Sequence, residues 1–359
     1  MKRKNICLTF ILALLLLFIW GGVHTKAESV DVDTSGIYES LDDETKEYLG
    51  DMDGKPGEEI NFSEVFNTLS GIISENLRKP LEAIIVISLI IIITSAVNSF
   101  EQLESIPELA GALSITVFLF PIIVSVISDL GNVCDGVSVF LMAAIPVYGT
   151  LMIAGGNVTA GTTYGTMTLG IANVISLISQ KIIVPALSII LGLSISSSFS
   201  HLSVNKIMDS IYKLVKWLMI VAVTLFSGVV SMQSIISGSG DAMGLRTARL
   251  IASSAIPIVG SAFGEGVSVV RQSVNVIKSG AGAFGILASF FIFAPLGIST
   301  AIWIGVCRIE MIVCELFGTP KIEEFLSCCM SIFKMVLAVL VSLLAVSIVC
   351  AAIVIYVGT

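Results

Sequence analysis

Apolar residues form long runs along most of this chain, with short polar connectors between them. Runs long enough to cross a membrane, which takes about 20 residues, begin near residue 80. They are predicted at 81–97, 109–127, 137–153, 166–195, 214–236, 284–306 and 335–357. Because hydrocarbon requires every backbone polar group to be satisfied within its own segment, the pattern predicts an all-α polytopic membrane protein with about 6–8 transmembrane helices.

The composition agrees with this fold class. Hydrophobic residues make up 55% of the chain and charged residues 13%, with a mean hydropathy of +0.99. A soluble domain carries about 25% charged residues, so the chain is too apolar for that class.

The N-terminus predicts a signal peptide at 1–27. Lys2, Arg3 and Lys4 form a basic region, the apolar run 11–20 follows, and small residues precede a cleavage position after Ala27. An uncleaved signal anchor is the alternative. In both cases residue 28 onward begins on the outer face of a membrane.

The segment 28–79 is predicted to be an acidic extracytoplasmic arm. Thirteen Asp and Glu residues lie between Glu28 and Glu64, against Lys46 and Lys55. Such a sequence buries little apolar surface, so we expect its first half to be mobile and separable from membrane folding. The arm ends in an amphipathic helix before the membrane domain 80–359. It is either a docking arm for a basic partner or a solvated spacer.

An approximate internal duplication runs through the membrane domain. Segment 117–125 resembles 223–231, and Ala-Ile-Pro-Val-Tyr-Gly at 144–149 resembles Ala-Ile-Pro-Ile-Val-Gly at 255–260. Pro185 and Pro295 follow at nearly equal distances. The repeat units are about 105–200 and 211–310, followed by a final span at 335–357.

The duplicated prolines mark candidate structural or conduit positions. A proline inside a helix removes a backbone donor, so Pro146 and Pro257 predict paired helix interruptions that face each other, with Gly149 and Gly260 beside them. The Gly/Thr-rich run 149–165 permits close helix approach or an irregular cavity lining, and both remain open.

Lys181 is a further candidate because it lies within an apolar stretch. A charge inside a membrane indicates a cavity, a partner or a helix break. The alternative is that Gln180 and Lys181 form the wet tip of a helical hairpin. Basic residues also indicate orientation: the connectors 199–213 and 308–334 are rich in lysine and arginine, which predicts that both face the cytoplasm.

Signs of catalysis are scarce. The sequence has no nucleotide-binding loop, zinc-protease motif or nucleophile elbow, and His201 is the only histidine of the mature chain. The cysteines have no metal-binding spacing and are expected to pack in the apolar core. We therefore expect no enzyme activity, no cofactor, no metal and no nucleic-acid partner.

The signal peptide, the acidic arm, the Ala-Ile-Pro-Val-Tyr-Gly-Thr segment 144–150, the Gly/Thr-rich 155–165 and the order of spans resemble the stage III sporulation protein AE family. The resemblance covers essentially the whole chain and brings no established site residues with it. It implies a multi-pass mother-cell membrane protein that faces the forespore in endospore-forming bacteria. It also implies membership of the channel-like complex that supports late forespore sigma-factor activity.

The partners implied by the resemblance are membrane lipid, the other stage III sporulation A proteins, a forespore-side channel protein and a YidC/Oxa1-type insertase. The residues themselves leave an alternative function open, which is an autonomous secondary transporter or channel for a small solute. Sparse charge within the predicted spans disfavours that alternative, since ion-coupled transport commonly uses buried ionisable groups.

Overall fold

A computed structural model describes residues 35–49, 62–99, 106–199 and 260–356, with single residues between 207 and 228. The signal peptide, Pro257, and most of 223–231 and 255–260 lie outside the described residues, so the duplication stays a prediction. The described chain is helical and contains no strand. Its helices are α1 (Ser35–Glu39), α2 (Asp43–Leu49), α3 (Phe62–Asn98), α4 (Ile106–Ala154), α5 (Val158–Ile178), a π-helical turn (Ser179–Ile183), α6 (Val184–Phe199), α7 (Gly260–Phe317) and α8 (Pro320–Tyr356).

Four stretches of the described helices are long and apolar enough to cross a membrane. They are Val65–Asn98, Ile106–Ala154, Gly280–Phe317 and Pro320–Ile355, and a shorter apolar helix covers Ser179–Ile195. This agrees with an all-α membrane protein. The helix α3 also runs without interruption through Pro80, where the sequence predicted the boundary between arm and membrane domain.

The predicted spans 109–127 and 137–153 are not separate. Both belong to α4, whose 49 residues extend about 74 Å at about 1.5 Å per residue. The residues between them are polar, which lowers hydropathy, but they include no proline that would stop a helix. The prediction of two spans was wrong because polarity was taken as a break in the helix.

Two helical hairpins are closed by the same type of turn. In each, a glycine with positive φ follows the helix: Gly156 (86°) after α4 and Gly318 (67°) after α7. The next residue donates its N–H to a carbonyl five residues back, from Asn157 to Met152 at 3.0 Å and from Thr319 to Cys314 at 3.1 Å. This bond is the Schellman motif, which requires a residue that tolerates the left-handed conformation. The predicted connector 308–334 is therefore two helix ends joined by a tight turn.

Helix α3 lies parallel to α7. The Ser88 hydroxyl contacts Glu310, and one pair of turns further on the Ser95 hydroxyl donates to the Phe317 carbonyl at 2.8 Å. Both contacts join residues 222 apart in sequence, so the same residue offset between α3 and α7 holds at both places. Helix α4 then packs against α3, α5, α7 and α8, and α6 packs against α4 and α8.

The acidic arm is docked rather than mobile over 35–49. Helix α1 contacts α4, and α2 contacts α7. The inward face repeats every four residues and is formed by Ile37, Leu41, Thr45 and Leu49, all buried. The few apolar residues of α1 and α2 therefore lie on the side that faces the bundle and the acids lie on the other, while the separability of the arm from membrane folding stays a prediction.

Candidate functional site

A buried carboxylate joins α3 to α7. Glu310 is 0% exposed within the candidate span Gly280–Phe317. The Ser88 hydroxyl lies 3.0 Å from one carboxyl oxygen and 3.1 Å from the other, so it donates a shared hydrogen bond. A buried ionisable group needs such a partner, because leaving it unpaired in a low-dielectric interior costs several kcal/mol.

Sequence reasoning missed Glu310 because it falls among the charged residues of the predicted connector 308–334. A signal was present: Cys307, Glu310 and Cys314 have the spacing of one helix face, and both cysteines are buried. A carboxylate between two core positions predicts burial on that face.

A second carboxylate organises the turn between α7 and α8. Glu108, at the start of α4, is 6% exposed, and its Oε1 accepts a hydrogen bond of 2.6 Å from the Lys321 backbone N–H. Lys321 lies in the first turn of α8, where backbone N–H groups have no partner within the helix. The negative charge also faces the positive end of the helix dipole. Glu108 thereby fixes the start of α4 to the α7–α8 hairpin.

Gly149 lies where α4 and α5 meet. A Cβ at Gly149 would be 3.1 Å from the Gly161 carbonyl oxygen, and a Cβ at Gly161 would be 2.5 Å from that of Gly149. The sequence left two roles open for the Gly/Thr-rich run. At Gly149 and Gly161 the structure supports the first of them, close approach of two helices.

Tyr148 forms an equally close contact between α4 and α7. Its hydroxyl occupies the space that a Cβ at Gly285 would need, and among the described residues it has no hydrogen-bond partner. Nearby, the Tyr164 hydroxyl donates to the Cys350 carbonyl at 2.7 Å, which connects α5 to α8. Large aromatic side chains therefore fill the interior at this end of the bundle.

The remaining predicted positions are not gathered in one place. Pro146 is exposed and lies inside α4, which continues past it to Ala154. Gly260 is the first residue of α7, and Pro257 lies outside the described residues. The proximity of the two prolines therefore stays a prediction.

Lys181 is exposed in the π-helical turn. The chain is helical from α5 through this turn into α6, so Gln180 and Lys181 do not form the tip of a hairpin. The Gln180 amide instead donates to the Asp135 carboxylate on α4. A π turn inserts an extra residue into the helix, and such insertions are frequent at functional positions.

Tyr48 attaches the arm to the bundle. Its ring stacks on Phe291 of α7 with centroids 6.2 Å apart, and its hydroxyl donates to Glu44 at 2.9 Å. Burial raises the pKa of Tyr48, and the hydrogen bond to Glu44 raises it further. A tyrosine hydroxyl is protonated at neutral pH in any case, and the raised pKa lets this one continue to donate into more alkaline solution.

The part of the chain that the structure describes holds no cluster of three or more His, Cys, Asp or Glu side chains suited to a metal ion. Its cysteines are all buried and free of disulfides, in agreement with the predicted packing role: Cys134, Cys307, Cys314, Cys328, Cys329 and Cys350.

The family model described as stage III sporulation protein AE matches residues 44–358. This chain belongs to that family. The match covers every described helix from α2 onward and confirms the predicted resemblance. It makes the chain a member of a sporulation family, with helices suited to a membrane.

A curated relative has the same description. The chain is 26% identical over 148 residues to the stage III sporulation protein AE of Bacillus subtilis (strain 168), which covers 41% of this chain and 37% of the relative. The match thus spans well under half of that relative's length. No solved structure matches the chain.

Proposed function

We propose that this chain is a non-enzymatic membrane component of the channel-like complex between mother cell and forespore, needed for late forespore sigma-factor activity. The observation that carries the proposal is the family match over residues 44–358, which includes all four candidate spans. The proposed location is the mother-cell membrane that faces the forespore.

The proposed partners are lipid, the other stage III sporulation A proteins, a forespore-side channel protein and a YidC/Oxa1-type insertase. The surface of α3 supports contact with lipid or partner helices. Ile85, Leu89 and Ile93 are 71%, 55% and 54% exposed within a candidate span. Apolar side chains exposed at this density are unfavourable in water.

The helix directions support the proposed topology. Helix α3 begins after the arm and ends beside the α7–α8 turn, since Ser95 contacts Phe317. A crossing by α3 places the arm and this turn on opposite sides of the membrane. This is compatible with an outer arm and a cytoplasmic 308–334, the two orientations that the sequence predicts independently.

The close packing of the helices supports a wall or scaffold rather than a pore through the bundle. Gly149 contacts Gly161, the Tyr148 hydroxyl fills the space at Gly285, and Gly282 lies against Ile355. At these positions of the described helices there is no room for even a methyl group between α4 and α5 or between α7 and α8. A conduit to which this chain contributes would therefore not pass between these described pairs of helices at these positions.

Co-purification tests the proposal. The tagged full chain, purified from sporulating cells in mild detergent, is expected to bring the other stage III A proteins with it. The same tagged chain expressed in vegetative cells is the control and should purify without them. Purification of the chain alone from sporulating cells, in several detergents, would contradict membership of the complex.

An autonomous secondary transporter is the second candidate, and Glu310 is the observation that favours it. Ion-coupled transporters use carboxylates buried in their membrane helices. If the chain were such a transporter, the purified chain in liposomes would move solute by itself, and Glu310→Gln would abolish that flux. We expect no such flux, because Glu310 already has Ser88 as a close partner.

A further inference from the structure

The exposed side of α3 carries a seven-residue repeat. A series of exposed positions is spaced alternately three and four residues apart, which is the spacing of the contact positions in a coiled coil. These positions, here called the α3 seam, are Glu75, Arg78, Glu82, Ile85, Leu89, Ile92 and Ala96. The buried positions lie on the opposite side of the helix and are Pro80, Ala83, Ile87, Ile91 and Thr94.

The second half of the α3 seam is wholly apolar. Ile85, Leu89 and Ile92 are 71%, 55% and 44% exposed. The serines of this stretch are turned away from the seam, because the Ser88 and Ser95 hydroxyls both donate to acceptors on α7. Helix α3 therefore uses one side to bind α7 and leaves an aliphatic side exposed.

The register between α3 and α7 bears on what covers this aliphatic side. Residues 284–307 of α7 contain no Asp, Glu, Lys or Arg and are the part of that helix best suited to hydrocarbon. The offset of 222 residues places this stretch level with the part of α3 before Val86. Arg308 is level with Val86. Glu315 is level with Ile93, and both charged residues are exposed. The apolar half of the seam thus lies beside the charged end of α7, which favours a protein partner over lipid.

A second copy of this chain fits the α3 seam by symmetry and by charge. Copies that insert into one membrane in the same direction present their α3 helices in parallel, so equivalent residues can meet around a common axis. Leu89 between Ile85 and Ile92 gives leucine at one contact position and isoleucine at the other, which favours parallel assemblies of more than two helices. In the polar half, Arg78 Nε lies 3.3 Å from Glu82 Oε1, and both residues are seam positions. Each Arg78 can therefore also reach the Glu82 of a neighbouring copy one turn away.

We propose that the α3 seam joins copies of this chain side by side, as a parallel helical assembly centred on Ile85, Leu89 and Ile92. The buried positions of α3 lie on the other side of the helix, so the rest of each bundle does not obstruct the contact. The inference goes beyond the proposed function and does not depend on the complex with other proteins.

Disulfide crosslinking tests the seam with a matched pair of neighbouring isoleucines. Ile92→Cys lies on the seam, and Ile93→Cys lies beside it at a more exposed position, 54% against 44%. Val117→Cys, at a residue of α4 that is 73% exposed, is a second control. The full chain is expressed in vegetative cells with two tags of different mass, and the membranes are oxidised with copper phenanthroline. The described native cysteines are buried, and the unsubstituted chain supplies the blank.

We expect Ile92→Cys to form a dimer that carries both tags at least about fivefold faster than Ile93→Cys or Val117→Cys, because equivalent contact positions of a parallel coiled coil lie close together. Ile85→Cys and Leu89→Cys should crosslink as Ile92→Cys does.

A second measurement follows self-association without any thiol. Ile85→Ala combined with Leu89→Ala should weaken association of the chain in mild detergent at least about tenfold, because truncating residues at the centre of a contact costs the most affinity. Sedimentation equilibrium measures this change, and Val117→Ala should leave the association unchanged.

Crosslinking of Ile93→Cys as fast as that of Ile92→Cys would show random collision of exposed thiols. Absence of crosslinks at all three apolar seam positions would show that lipid or a different protein covers the seam. Either result overturns the inference. The outcome is independent of co-purification: a self-associating chain that purifies without the other stage III A proteins would support the seam and remove the proposed complex. A monomeric chain that co-purifies with them would do the reverse.

Discussion

Polar groups occur both at the α3–α7 contact and at the exposed residues Ser125, Ser128 and Asn132 of α4, but only at the α3–α7 contact are they buried between two helices. Between α3 and α7, the Ser88 hydroxyl and the Glu310 carboxylate partner each other in the interior. On α4, Asn132 and Ser128 are exposed. A partnered polar group stabilises one packing of the helices, whereas an exposed polar face requires an environment other than lipid.

A substitution in the arm should give the largest loss of stability. The buried and the exposed face of the arm lie within a few residues of each other, so one can be compared directly with the other. Ile37→Ala removes a fully buried side chain and should weaken docking of the arm by about 3 kcal/mol. Trypsin cleavage at Lys46 should become faster. Glu39→Ala, on the exposed face of α1, is the control and should change docking by less than about 0.5 kcal/mol. Equal cleavage rates in both variants would show that the arm is not held by its apolar face.

A substitution at the α4–α5 contact should give the next largest loss of stability. Gly161→Ala places a methyl group against the Gly149 carbonyl and should destabilise the folded chain by about 2 kcal/mol. Thermal unfolding in detergent measures this loss. Gly170→Ala is the matched control: it meets open space, and alanine favours a helix over glycine by about 0.5–1 kcal/mol. A lower unfolding temperature for both variants would contradict the close approach.

The α3–α7 contact should give a coupling between its two polar residues. Ser88→Ala and Glu310→Ala, singly and together, form a double-mutant cycle with an expected coupling of about 1–2 kcal/mol. Glu310→Gln keeps an acceptor of similar shape opposite Ser88 and should be milder than Glu310→Ala. Strict additivity of the two single losses would mean that the hydrogen bond contributes nothing.

A substitution on the exposed side of α4 should show the smallest effect on stability and a clear one on function. Asn132→Leu should alter the unfolding free energy by less than about 0.5 kcal/mol, because the residue is exposed. Counts of heat-resistant spores should nevertheless fall, since leucine removes an exposed amide that a partner in the proposed complex can bind. Val139→Leu, on the same face, is the control and should sporulate normally. Normal sporulation of Asn132→Leu would argue that this part of the face has no functional role.

Periodicity predicted the all-α membrane class because apolar runs of this length have few other stable forms. It failed at 128–136, where Asp129 and Asp135 reduce the hydropathy of α4 without ending it. The same weakness hid Glu310, whose neighbours Arg308 and Glu315 are exposed while it is buried. Hydropathy averages over all faces of a helix and cannot separate an inward charge from an outward one.

The sequence by itself predicted the all-α membrane class and the family resemblance, because these depend on composition and local spacing. Only the tertiary structure decided that the arm docks, that Ser88 meets Glu310, and that Gly149 lies against Gly161. Each of these depends on the register between packed helices, such as the offset of 222 residues between α3 and α7. That register is set by packing of whole surfaces, which local pattern does not contain.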